Sequence, residues 1–80
     1  MDVTPEGCRA GRAILKWSMR ELAERSGVAW TTINRIEAGS AARDSTAAKI
    51  IAAFEAEGVE LTGDPERTGA ALVYARRRQG

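Results

Sequence analysis

From Cys8 to Phe54 the apolar residues recur at spacings of three and four, and beyond Gly58 they alternate with polar ones. The first pattern belongs to amphipathic helices with one face in a core, the second to half-buried strands. Thr4-Pro5-Glu6 offers a capping hydroxyl, a proline for the first helical position and an acid for the first turn, and so starts a helix. Its inward side runs through Cys8, Gly11, Ile14 and Leu15, and it should stop near Lys16. Gly11 costs that helix about 1 kcal/mol relative to alanine, which either a close approach by another helix or simple tolerance would explain. Ser18-Met19-Arg20-Glu21 has the form of a capping box. The second helix it opens turns Leu22 and Ala23 inward and pairs Glu21 with Arg25 outside. Ser26-Gly27 closes it, with Val28 as the apolar plug of the turn.

The third helix should begin near Ala29 and end at Gly39. At about 100° per residue, Ala29, Ile33, Ile36 and Glu37 share one side. Thr31, Asn34, Arg35 and Ala38 lie opposite, with Trp30 and Thr32 on the flanks. Trp, Thr and Asn are mediocre helix formers where Ala, Glu or Lys would serve better. A helix this short gains nothing from them, so its outer face reads as chosen for a contact outside the protein. Asp44 or Ser45 should cap a fourth helix carrying Ala47, Ile50, Ile51 and Phe54 inward, and Gly58 should stop it. Val59–Leu61 and Ala71–Ala75 read as short strands, and residues 62–69 between them are turn chemistry throughout. The two strands form a hairpin or pair with those of a neighbour.

Eighty residues make one small domain. A chain of that size buries only about 60–65% of its unfolded surface, so pairing with a second copy would help it. No apolar run approaches ~18 residues, and Met1–Pro5 lacks the pattern of a signal peptide. Residence in the cytoplasm is therefore expected, with no membrane contact. The single cysteine, Cys8, rules out an internal disulfide and reads as a small buried residue. The absence of histidine removes Ser–His, Cys–His and histidine-ligated metal chemistry; an enzyme built from carboxylates alone would need a pocket that this length scarcely provides, so neither an enzyme nor a cofactor is expected. The net charge of +1 hides an uneven distribution. Residues 9–49 hold eight basic and four acidic side chains, residues 55–66 are acidic, and Arg76–Arg78 lead into a basic tail at residues 77–80. The basic bias lies in the segment with the unusual helix and suits an anionic partner.

With these elements in order, the stretch WSMRELAERSGVAWTTINRIEAG resembles the Xre/Cro family of phage-repressor-like DNA-binding proteins. Glu21-Leu22-Ala23, Ser26-Gly27-Val28, Ile33 and Arg35-Ile36-Glu37-Ala38-Gly39 carry the likeness in register, over about residues 8–57. It implies a mainly α fold, a bundle of four or five helices over residues 4–58, whose third helix enters the major groove of double-stranded DNA. A C-terminal hairpin at residues 59–76 would follow. By position, base reading falls to Trp30, Thr31 and Arg35, with Asn34 beside them. Arg35 suits guanine, Asn34 adenine, and the Thr31 methyl thymine. Phosphate contacts fall to Ser18, Met19 and Arg20, to Ser40 and Arg43, and to the Thr32 hydroxyl. Met19 stands where the family usually has glutamine, and Ala29 where it has a capping Ser or Thr. Arg12 and Glu37 occupy the places of a partly buried ion pair.

One helix-turn-helix reads few base pairs, so a homodimer on half-sites ~34–36 Å apart is expected. Val59, Leu61, Leu72, Val73 and Tyr74 would supply its interface. The competing arrangement has the hairpin capping its own core and the fourth helix making the dimer. The function implied is a sequence-specific regulator of transcription, most simply a repressor. The alternative is a protein-binding module on the same fold, such as an antitoxin held by a toxin.

Overall fold

Thr4 begins the first helix as its sequence predicts, its hydroxyl oxygen accepting the Gly7 N–H at 2.9 Å. The computed structural model describes residues 3–64 and 67–72, with side chains described for residues 3–61. Helix α1 spans Pro5–Leu15 and ends at Lys16, in the left-handed region at φ 59°. Its inward line is Gly7, Cys8 and Gly11, with Leu15 half-buried. Ile14, expected inside, is 38% exposed in the last turn, toward the edge of that line. Gly11 is explained by packing rather than tolerance. A Cβ there would lie 2.9 Å from Cε1 and Cζ of Phe54, so α1 approaches that ring more closely than any side chain permits.

Helix α2, Met19–Ser26, is capped by Ser18, whose hydroxyl accepts the Glu21 N–H at 3.0 Å. The Glu21 carboxylate is turned to Arg25 Nε at 2.8 Å, the expected i,i+4 pair. Gly27, at φ 76°, makes the turn that a Cβ would oppose, and Val28 is buried beneath it. Helix α3, Trp30–Glu37, buries Ile33 and Ile36 and closes at Gly39, φ 116°. Helix α4, Asp44–Glu55, corrects two expectations. Its cap is Arg43, in extended backbone, so Asp44 sits inside the first turn, where its charge suits the positive end of the helix dipole. Ala53 joins Ala47, Ile50 and Phe54 inside while Ile51 is only half-buried.

The core therefore gathers Leu22, Val28, Ile33, Ile36, Ile50 and Phe54 between the four helices. Trp17, in the α1–α2 connection, stacks on Phe54 at 5.7 Å between ring centres and 18° between planes. The Arg25 guanidinium lies 5.0 Å above the same indole, a cation–π contact that seals the joint.

Two antiparallel strands follow, β1 (Val59–Asp64) and β2 (Arg67–Leu72), in register from Val59 opposite Leu72 to Asp64 opposite Arg67. Pairing thus runs through most of the expected turn, and β2 begins four residues before the predicted Ala71. Gly63 and Gly69 each face a threonine across the ladder, so pairing tolerates both glycines. Val73 and Tyr74, expected at a dimer contact, lie outside the described residues, as does the tail. Val59 and Leu61 are 1% and 3% exposed, buried in the core of their own chain. Their apolar surface is therefore taken, and the expectation that they face a second copy is corrected. Among the described residues no helix is long and apolar enough to cross a membrane.

Candidate nucleic-acid interface

Helix α3 has an apolar inner stripe of two isoleucines, so its remaining residues must face outward or sideways. Thr31, Asn34 and Arg35 are all exposed, as is Ala38 behind them. Trp30 is 42% exposed at the first turn. Thr32 is half-buried on the opposite flank. Ser40 and Arg43 are exposed in the loop after α3. With Thr32, Arg35, Ile36 and Thr46 they line a groove of about 460 Å³ between the end of α3 and the start of α4.

The start of α2 is less open. Ser18 and Arg20 are exposed, but the Ser18 hydroxyl is engaged as the helix cap. Met19 is half-buried and packs against the core. Its thioether fills space where an amide would reach outward.

Electrostatics separate the two sides of α3. Its only carboxylate, Glu37, points back to α1. Arg12 grips it with two charge-assisted bonds, Nε to Oε2 at 2.7 Å and Nη2 to Oε1 at 2.8 Å. The third Arg12 nitrogen donates to the Trp17 carbonyl at 3.0 Å, tying the α1–α2 connection into the same knot. The ion pair expected from the family resemblance is therefore present, with side chains 19% and 8% exposed.

Burial pushes the Glu37 carboxyl upward, but bonds from Arg12 and the Cys8 thiol outweigh it and hold the group below its usual range. The Arg12 guanidinium is raised chiefly by its bonds to Glu37, against the opposing effect of burial. Cys8 donates its thiol to Glu37 Oε2 at 3.2 Å. Its pKa is pushed up to about 12, by burial first and then by that bond and the carboxylate's charge. This thiol stays protonated and acts as a donor, not a nucleophile.

The sequence reading missed two members of this joint. Cys8 is more than a small buried residue, and Arg9, which the sequence marks only as part of the basic bias, donates from Nη1 to the Glu37 carbonyl at 2.7 Å. Part of the signal lies in the spacing: Cys8 and Arg12 fall at i and i+4 on one side of α1, with Arg9 about 100° round the helix from Cys8.

The outcome is a short helix whose outer face offers a guanidinium, a carboxamide and a hydroxyl with its methyl, free of negative charge. Those groups match the donor, acceptor and methyl pattern of base edges in a major groove. Among the described residues no cluster of His, Cys, Asp or Glu is placed to hold a metal ion. Residues 9–61 match the protein family described as Helix-turn-helix. No curated protein matches the chain.

Proposed function

The chain belongs to the Xre/Cro-like helix-turn-helix family, a family of DNA-binding regulators, and from that premise we propose that it is a sequence-specific transcriptional repressor that binds a palindromic operator as a homodimer. One observation carries the reading. Thr31, Asn34 and Arg35 stand exposed together on α3, while the only acid of that helix is drawn inward by Arg12. A face built for solubility would carry Glu and Lys; this one carries groups that discriminate between bases. Arg35 reads guanine, Asn34 adenine, and Thr31 and Trp30 supply apolar contact. Arg20, Ser40 and Arg43 flank the helix and hold phosphates, with Thr32 as a further hydroxyl donor.

Dimerisation runs through the C-terminal hairpin. Among the described residues the sheet has two strands, each with one edge lacking a strand partner, and such edges pair readily with a second copy. The contact falls to the segment of Leu72, Val73 and Tyr74, since Val59 and Leu61 are occupied internally.

The test is selection of bound duplexes from random DNA at fixed salt. A palindromic product is expected, with half-sites one helical turn apart, together with a dimer mass for the full chain in light scattering. Binding to that product should weaken with salt at a log–log slope of about −0.9 per neutralised phosphate. Arg35→Ala should cost about 1–3 kcal/mol of affinity and relax the preference at one base pair. Affinity indifferent to both salt and Arg35→Ala would overturn the proposal.

A further inference from the structure

The last carbonyls of any helix lack intrahelical donors, and at the end of α3 they are satisfied unevenly. The Ala38 N–H goes to the Asn34 and Arg35 carbonyls, Ser40 N–H to Arg35, and Gly39 N–H to Ile36. Among the described residues no backbone donor reaches the carbonyl of Glu37. Arg9 fills that place from another helix, 28 residues away, at 2.7 Å. Its side chain is otherwise exposed and forms no ion pair among the described residues. A positive charge at this end also suits the negative pole of the helix dipole.

This bond differs in kind from the Arg12 grip. Arg12 holds a carboxylate at the end of a side chain with rotatable bonds, so the backbone behind it keeps some freedom. Arg9 holds the backbone of α3 itself. The opposite end of the helix, at Ala29, has no side-chain cap. The side-chain bonds that tie this eight-residue helix to α1 are therefore gathered at Glu37, and Arg9 makes the one among them that grips the backbone.

We infer that Arg9 is a positioning residue for base recognition, fixing the axis of α3 through the Glu37 carbonyl without itself touching DNA. The inference rests on the proposed reading of α3 as the base-reading helix. A helix free to tilt presents every base contact slightly out of place, and discrimination suffers while attraction to phosphates does not.

The experiment compares the wild-type chain, Arg9→Gln and Arg9→Lys on two duplexes, the one selected by the wild type and a scrambled one, across a salt series. For Arg9→Gln the ratio of selected to scrambled affinity is expected to fall about tenfold or more, as a mismatched base pair would lower it. Binding to the scrambled duplex and the salt slope should be unchanged. Arg9→Lys keeps a charge and a donor near the carbonyl, and should fall between the two. A loss of affinity shared by both duplexes, with the slope reduced by about 0.9, would make Arg9 a phosphate contact and overturn the inference. An unchanged ratio would overturn it equally.

A second measurement needs no DNA: amide hydrogen exchange at Ala38, Gly39 and Ser40 should quicken in Arg9→Gln relative to the amides of α4. Unaltered exchange there would refute the grip. If the wild type selects no sequence yet this exchange quickens, the DNA-reading proposal has failed while the anchoring of α3 by Arg9 stands.

Discussion

Helices α3 and α4 lie in the same small bundle and are held in it by opposite means. Helix α4 draws half of its residues from the good helix formers Ala, Lys and Glu, and it buries Ala47, Ile50, Ala53 and Phe54. Helix α3 contains no alanine and buries only Ile33 and Ile36. What α3 lacks in apolar area it recovers in charge, through the bonds from Cys8, Arg9 and Arg12 to Glu37. The difference is instructive. A helix whose outer face is reserved for a partner cannot be optimised for propensity, so its anchorage is moved to one end, away from the reading surface. Packing is forgiving of small tilts, whereas a bidentate ion pair and a bond to a carbonyl are directional. Polar anchorage therefore suits the helix whose orientation matters most.

The sharpest way to break this contrast is to remove the charge that anchors α3. Glu37→Ala leaves Arg12 largely buried without its partner and should cost about 3–5 kcal/mol in denaturant unfolding. Replacing both members with apolar residues of similar volume should recover most of that loss. If Glu37→Ala costs less than the ~1 kcal/mol typical of exposed pairs, α3 is held by its isoleucines after all.

Acidity and alkalinity probe the same joint without mutation. The Glu37 carboxyl is held below its ordinary value of 4.5, so the fold favours the ionised form. The stability this contributes is complete above that value and is lost as pH falls through the depressed one. Cys8 behaves in the opposite sense. Its contribution is complete below its ordinary 9.0 and declines as pH rises toward about 12. The denaturation midpoint should thus fall in acid for the wild type but much less for Glu37→Gln measured against its own plateau. The alkaline decline should be shallower for Cys8→Ala. Profiles identical to the wild type in both variants would mean that the joint does not titrate.

The smallest effect expected concerns the outer face. Thr31→Ala and Asn34→Ala exchange weaker helix formers for the strongest one, and each should leave stability unchanged or raise it by about half a kcal/mol. The same substitutions should weaken binding to a selected duplex. A loss of more than about 1 kcal/mol of stability in either would mean that these side chains support the fold, and the contrast with α4 would dissolve.

How far this protein can be read without coordinates depends on the range of each interaction. Thr4 and Ser18 as caps, Gly27 as the turn and the outward set Thr31, Asn34 and Arg35 were all legible, because capping and helical periodicity act within a few residues. The family likeness added the Arg12–Glu37 pair, since the register of its motif spans both helices. Other features depended on which faces meet. Gly11 needed the Phe54 ring, and Val59 and Leu61 turned inward only when β1 found its own core. The ladder ran through residues whose local chemistry spells a turn, and Met19 was used for packing. Arg9 found its acceptor on another helix. Local rules decide what a segment becomes; only the docking of segments decides what each side chain touches, because those contacts join residues whose distance in space their spacing along the chain does not encode.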